Sequence, residues 1–338
     1  MKITRFKRIG IFIIIACLVL TMVSVMTMVS GCRDRAGTTE DQPRFVLGFS
    51  QLGDESEWRT ASSNDIRRAA ESWGVQLMFD NALQQQSNQI RAIRSFILKG
   101  VDIIAFCPIV EDGWDNILEE ARVAGIPVII VDRKIETDGD GMYTAFLGAD
   151  FHREGVKAGE WIVERFADEE GPIRIAEISG TPYSSPTIGR YEGLREVLDM
   201  HPKFEIVFSI SGDFMRSKGR ECMEIILEEA PDIDVLFAHN DDMALGAIEV
   251  LEQSGIVPGT DITIVSVDAQ TSGLLALQQG KINCLVECSP YVGNDLMALV
   301  FRIMNGQAFD TYTYTETRVF TDSDDPATLP IRPPVYRP

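Results

Sequence analysis

From Arg44 onward the chain alternates between short apolar runs and longer stretches in which apolar positions recur every three to four residues. The runs are "RFVLGFS", "VQLMF", "VDIIAFCPI", "IPVIIVD", "IRIAEIS", "FEIVFSI", "IDVLFAH", "ITIVSVD" and "INCLVEC". Short segments that are apolar at nearly every position predict strands covered on both faces. Helices are expected between them. In "SNQIRAIRSFILKG", Ile90, Ile93 and Ile97 share one face, and Gly100 follows as a stop. Another helix is expected from about Asp241 to Ser254, stopped by Gly255. Strand–helix alternation predicts an α/β fold with parallel, doubly wound sheets. At this chain length two sheets accommodate the units better than one. The segment "YTAFLGADFHREG" near the middle is the expected crossover between two lobes.

The first residues form a different pattern. Lys2, Arg5, Lys7 and Arg8 precede a long apolar run, which ends in "VSGC". This resembles the lipobox of bacterial lipoprotein signal peptides. The resemblance implies a signal peptide over residues 1–31, lipidation at Cys32 and a polar, lipid-anchored tether over 32–43. The run is also long enough for an uncleaved membrane span. Either reading puts the bulk of the protein outside the cytoplasm.

The formal net charge is −20. The first 31 residues hold four basic and no acidic residues, so the remainder has 27 basic against 51 acidic residues, a net charge of −24. Such a surface repels phosphate backbones, and nucleic acid is excluded as a partner. Beyond Cys17 and Cys32, four cysteines remain: Cys107, Cys222, Cys284 and Cys288. They could pair in three ways. Cys107 and Cys284 lie in apolar runs, where cysteine acts as a small hydrophobe, so free thiols are expected.

The polar residues with chemical potential cluster after strands. "ESEWR" follows the first run, Asp132-Arg133 follows "IPVIIV", Asn240-Asp241 follow "VLFAH", Asp268 closes "ITIVSV" and Glu287 closes "INCLV". Ligands of open α/β sheets bind outside the carboxyl ends of strands. Arginine donates, carboxylate accepts, and a hydroxyl does both, while an indole offers a flat apolar face. This inventory suits a neutral polyol with an apolar face, which is a sugar. No G-x-G-x-x-G or Walker pattern follows a strand, and no zinc-spaced cysteines or H-E-x-x-H occur, so no cofactor, metal site or catalytic set is expected.

The stretches "GFSQLGDESEWR", "NQIRAIRSFILKGVDIIAFCPIVEDGWDNIL", "IPVIIVDR", "SGDFMRSKGRECME", "FAHNDDMALGAIEVLEQSGIVPGTDI" and "VSVDA" resemble the periplasmic sugar-binding proteins of ABC importers. The likeness is to the ribose/galactose-type cluster with the type I fold, and within it to galactofuranose-binding proteins. It runs from residue 45 to about 290. It implies two Rossmann-like lobes joined by a three-segment hinge near Ala149-Asp150, Glu287-Cys288 and Tyr312. The lobes would comprise 44–149 plus about 288–312, and about 150–287 plus 313–338. It implies a monosaccharide ligand, galactofuranose- or galactose-like, and an ABC transporter permease as partner. Carried over residue by residue, it implies a ligand site of Trp58, Arg59, Asp132, Arg133, Arg190, Phe214, Asn240, Asp268 and Glu287, with Trp58 and Phe214 clamping the sugar from opposite lobes. The same module could instead present sugar to a membrane kinase or chemoreceptor. Glu57, Gly189 and "TPYSSPT" depart from the family pattern and leave the exact sugar open.

Plainer roles compete at each position. Asp132-Arg133 could be a structural ion pair, and Asn240 a helix cap. Phe214 could be core and Glu287 a hinge hydrogen bonder. Trp73 is expected in the core.

Overall fold

The computed structural model describes residues 45–331. The expected signal peptide, Cys32 and tether lie outside these residues. The described strands form two six-stranded sheets. The first contains β1 (Phe45–Gln51), β2 (Val75–Asn81), β3 (Ile103–Phe106), β4 (Val128–Val131), β5 (Ala145–Gly148) and β11 (Tyr312–Tyr314), in the order β11-β5-β4-β3-β1-β2. The second contains β6 (Ile173–Ser179), β7 (Phe204–Ser211), β8 (Val235–Ala238), β9 (Thr263–Asp268), β10 (Cys284–Glu287) and β12 (Val319–Thr321), in the order β12-β10-β9-β8-β6-β7. All pairings are parallel except that of β12 with β10. The antiparallel β12 departs from the uniformly parallel expectation, because the chain returns to the second sheet through a short link that carries no helix.

The helices of the first lobe are α1 (Glu57–Trp73), α2 (Gln86–Lys99) and α3 (Asp115–Val123). Those of the second are α4 (Phe151–Arg165), α5 (Ser185–Leu198), α6 (Arg216–Glu229), α7 (Asp241–Gln253) and α8 (Thr271–Gln278). Helix α9 (Gly293–Met304) returns to the first lobe, where the Gly293 N–H donates to Asp65 Oδ2 at 2.8 Å and Phe301 meets Phe45 with ring centroids 5.2 Å apart. Gly100 and Gly255, read from sequence as stops, follow α2 and α7 with φ of 65° and 77°.

Both sheets are buried in their centres. Every side chain of β3, β4, β5 and β8 is inaccessible or nearly so, while the edge strands β2 and β7 are half-buried. This is the origin of the uninterrupted apolar runs. Part of the expected crossover is itself a strand, β5, and the chain leaves the first sheet after it. It passes back between β10 and α9. The last passage lies in residues 315–318, just beyond Tyr312, since β11 still pairs with β5. Trp73 departs from its expected core position. It sits at the end of α1, 38% exposed, with its indole N–H on Asn294 and its ring against Phe301.

Helices α4 and α5 cross at backbone contact. A methyl group on Gly155 would lie 2.3 Å from the Arg190 carbonyl oxygen, and one on Gly193 would lie 2.1 Å from that of His152. Glycine at these positions lets the helices touch, and the contact fixes what they carry toward the other lobe. Gly193→Ala is expected to force the helices apart and cost about 1–3 kcal/mol, as overpacked cores do. Urea denaturation checks this: an unchanged midpoint would mean that the crossing yields freely.

Candidate functional site

Residues at and beyond the carboxyl ends of β1, β4, β5, β6, β7, β8, β9 and β10 face one another across a cleft. It is lined by Glu55, Ser56, Trp58, Arg59, Asp132, Arg133, Phe151, Pro186, Arg190, Phe214, Asn240, Asp268 and Cys288. Eight of the nine site residues expected from sequence are therefore brought together. The ninth, Glu287, is not.

The first lobe supplies two arginines. Ser56 caps α1, its Oγ accepting the Arg59 N–H at 3.1 Å, so the first turn delivers Trp58 and Arg59 to the cleft. The Arg59 guanidinium donates from Nε to Glu55 Oε1 at 3.1 Å and from Nη1 to Asp132 Oδ2 at 2.8 Å. Nη1 also reaches Cys107 Sγ at 3.3 Å, and that thiol lies 3.2 Å from the same Asp132 oxygen. Burial pushes the Cys107 thiol up to about 12, so it remains protonated. Asp132 takes its place just past β4 with φ of 65°, a conformation that non-glycine residues adopt at a cost. Arg133 is held by one hydrogen bond, Nη1 to the Ile109 carbonyl at 3.1 Å, and its buried Nε has no partner. Burial, and then the charge of Arg59, lower the Arg133 pKa.

The second lobe supplies the third arginine. Arg190 donates from Nε to Glu154 Oε2 at 2.8 Å and from Nη1 to the His239 carbonyl at 2.5 Å. Its Nη2 lies 3.9 Å from Asp268 Oδ1, beyond hydrogen-bond reach. Burial raises the carboxyl pKa values of Glu154 and Asp268, and the charge of Arg190 opposes both shifts. Asp268 closes β9 with φ of 117°. Asn240 performs the cap role: its Oδ1 accepts the Met243 N–H at 3.0 Å while its Nδ2 donates to the Phe214 carbonyl at 3.2 Å. Capping α7 and facing the cleft thus coexist in one residue.

Phe214 follows Asp213 in a turn where both have positive φ, 63° and 53°. Its ring occupies the space above Gly180, where a methyl group would fall 1.9 Å from Cζ. The ring lies 5.3 Å from the Arg133 guanidinium and 5.9 Å from that of Arg190, and so links the two lobes. Trp58 extends from the first lobe into the hinge, its indole N–H donating to the Cys288 carbonyl at 2.6 Å.

Glu287 forms a bidentate ion pair with Arg318, both contacts at 2.7 Å, on a separate surface near the last hinge passage. Successive residues at a strand end point to opposite sides, so the residue that reaches the cleft is its neighbour Cys288. The sequence reading also missed Glu55, Ser56, Phe151 and Pro186. Glu55 stood in the singled-out "ESEWR", and its spacing of four from Arg59 on a helix start was the available signal. Phe151 lay in the expected crossover with nothing to mark its direction. The four cysteines, expected as free thiols, are free and buried.

Behind Arg190 lies a buried support. His239 Nε2 is 2.9 Å from Glu177 Oε1, and Arg195 Nη2 reaches Glu177 Oε2 at 3.2 Å. Ser209 Oγ donates to the same carboxylate at 2.7 Å.

The chain belongs to the periplasmic binding protein family: the family's model, "Periplasmic binding protein domain", matches residues 47–308. Among its relatives is the galactofuranose-binding protein YtfQ of Escherichia coli (strain K12), 39% identical over 249 residues that cover 73% of this chain and 78% of the relative. A protein from Mycobacterium smegmatis, solved in complex with β-D-fucofuranose, superposes with a TM-score of 0.83 at 46% identity, covering 85% of this chain and 94% of that one. The binding protein of the arabinose ABC transporter of Shewanella sp. ANA-3, bound to α- and β-L-arabinofuranose, gives 0.79 at 40% identity, covering 82% and 92%.

The Glu177 network predicts acid sensitivity. Burial alone would raise the Glu177 carboxyl, but His239 and Arg195 outweigh it and bring it down to about 2. A depressed carboxyl contributes stability that is present above its unfolded pKa, about 4.3, and is lost as pH falls toward the folded value. Burial lowers His239, so protonation in the unfolded state begins the loss earlier, below about pH 6.5. Denaturation measured from pH 7 to pH 2 should show stability falling through this window, and Glu177→Gln should flatten the limb below about pH 4.3.

Proposed function

We propose that the protein is an extracytoplasmic sugar receptor that takes a neutral monosaccharide, in furanose form, into the interlobe cleft and delivers it to an ABC transporter permease. The observation that carries this reading is the charge balance of the cleft. Three arginines, Arg59, Arg133 and Arg190, face three carboxylates, Glu55, Asp132 and Asp268, so the lining favours a ligand without net charge. Buried polar atoms without partners, among them Arg133 Nε and Glu55 Oε2, call for a ligand that both donates and accepts. Hydroxyl groups do this, and Trp58, Phe151 and Phe214 supply apolar walls for the faces between them. The furanose form is supported by the relatives solved with fucofuranose and arabinofuranose.

Binding would proceed by closure. The lobes touch at the rim, where the Glu57 N–H donates to Asp242 Oδ2 at 2.6 Å and the Lys134 N–H donates to Ser185 Oγ at 2.8 Å. A sugar that bridges Arg59 and Arg133 on one side to Arg190 and Asp268 on the other would bind the closed state better and shift the population toward it. The lipobox-like "VSGC" supports anchoring at Cys32, with the receptor held beside its permease.

Thermal shift of the purified full-length protein with L-arabinose, D-galactose, D-fucose and methyl β-D-galactofuranoside tests the reading. A dissociation constant on the order of 1 μM corresponds to about −8 kcal/mol. Arg133→Ala is expected to weaken binding by about 2–4 kcal/mol, because hydroxyl partners in the cleft would be left unpaired. A protein indifferent to the whole panel, or an Arg133→Ala variant that binds as well as the unaltered protein, would count against it.

A further inference from the structure

We propose that Glu55 is the specificity-determining residue of the cleft: it neutralises the arginine pair of the first lobe, so that neutral sugars are admitted and sugar acids are turned away. The inference rests on the sugar-receptor reading above and deepens it.

Glu55 sits in the loop between β1 and α1, and its side chain is only 2% exposed. One oxygen, Oε1, accepts the Arg59 Nε–H at 3.1 Å and lies 4.0 Å from Arg133 Nη2. The carboxylate thus stands between two guanidiniums. The other oxygen, Oε2, is buried and makes no hydrogen bond. The first-lobe half of the cleft holds Arg59 and Arg133 against Asp132 and Glu55, two charges of each sign. Asp132 bonds Arg59 at 2.8 Å, while Glu55 both bonds Arg59 and comes within 4.0 Å of Arg133, so Glu55 is the carboxylate shared between the two guanidiniums. In the second-lobe half Arg190 is bound to Glu154 and faces Asp268 across 3.9 Å, so that half holds no surplus positive charge. Removing the charge of Glu55 therefore leaves the first-lobe half, a desolvated site, with one guanidinium in excess of its carboxylates. Screening there is weak, and a ligand carboxylate would be drawn to it. With Glu55 in place, an anionic ligand meets a carboxylate it must displace or repel.

A merely structural role for Glu55, bracing Arg59, would weaken all ligands alike when lost. It could not create affinity for a new charge class, so gain of binding is the decisive readout. The purified full-length protein and its Glu55→Gln and Glu55→Asp variants are titrated calorimetrically with L-arabinose and D-galactose, and with two acids. D-galacturonate carries its charge at one end of the sugar and D-galactonate at the other. The unaltered protein and Glu55→Asp are expected to bind a neutral sugar and neither acid. Glu55→Gln is expected to bind that neutral sugar at least tenfold more weakly and at least one acid at least tenfold more tightly than the unaltered protein does. A folded Glu55→Gln that keeps the original preference overturns the assignment and leaves the receptor reading standing. An unaltered protein that binds acids as tightly as neutral sugars also overturns it, and this arm holds even if Glu55→Gln does not fold. An unaltered protein that binds no neutral sugar in the wider panel above removes the receptor reading, and this inference with it.

Discussion

Three guanidiniums withdrawn from water, where the strand ends of two sheets meet, set the terms for the rest of the site. Arg59, Arg133 and Arg190 are each at most 4% exposed. A buried charge is tolerated only where acceptors replace its hydration. Arg59 has Glu55 and Asp132, and Arg190 has Glu154 and the His239 carbonyl. Arg133 has only the Ile109 carbonyl and a distant Glu55. The least satisfied cation is therefore the one that stands nearest the opposite lobe's aromatic ring, 5.3 Å from Phe214. Two of the arginines are thus hydrogen-bonded to carboxylates and the third is not.

Holding these groups requires the backbone to accept unfavourable conformations. Asp132, Phe214, Asp268 and Ala269 all have positive φ, and each adjoins or lines the cleft. Such strain persists only when the surrounding structure over-determines it. The thiol of Cys107 beneath Asp132, the Gly180 space beneath Phe214 and the glycine crossing behind Arg190 and Glu154 provide that determination. The same crossing explains how α5, whose apolar patterning is weak, packs well against α4: contact at Gly155 and Gly193 depends on shape.

The sheet centres were legible in the sequence because strands buried on both faces carry few polar residues. Nine runs marked nine strands. Three escaped: β11 and β12 are three residues long and partly exposed, and the four-residue β5 lies inside the segment expected as the crossover. The site was legible for a related reason. A polar residue directly after an apolar run marks the carboxyl end of a strand, and this located Asp132, Arg133, Asn240 and Asp268. The rule carries no information about which side of the sheet a terminal residue faces. Glu287 and Cys288 are adjacent in sequence, and the pleat sends one to Arg318 and the other to the cleft. Trp73 misled for a different reason: a large aromatic at the last turn of a helix lies at the end of the packed face, where its edge remains in water.

At the rim, favourable and unfavourable contacts between the lobes occur side by side. Few direct contacts join the lobes there, and they are mixed in sign. Asp242 accepts the Glu57 N–H at the start of α1, a favourable meeting of carboxylate and helix N-terminus. The Glu57 carboxylate, however, comes with it. It bonds to Ser272 of the second lobe and raises the Asp242 carboxyl, adding to the effect of burial. On the other side Glu111 faces Glu192 across the gap, with Glu136 and Asp112 beside it, and burial together with these neighbours pushes its carboxyl up to about 6. Like charges thus approach at both edges as the lobes come together. Rim contacts that partly cancel hold the lobes together only weakly at their edges, so the contacts inside the cleft weigh more in how the lobes are held.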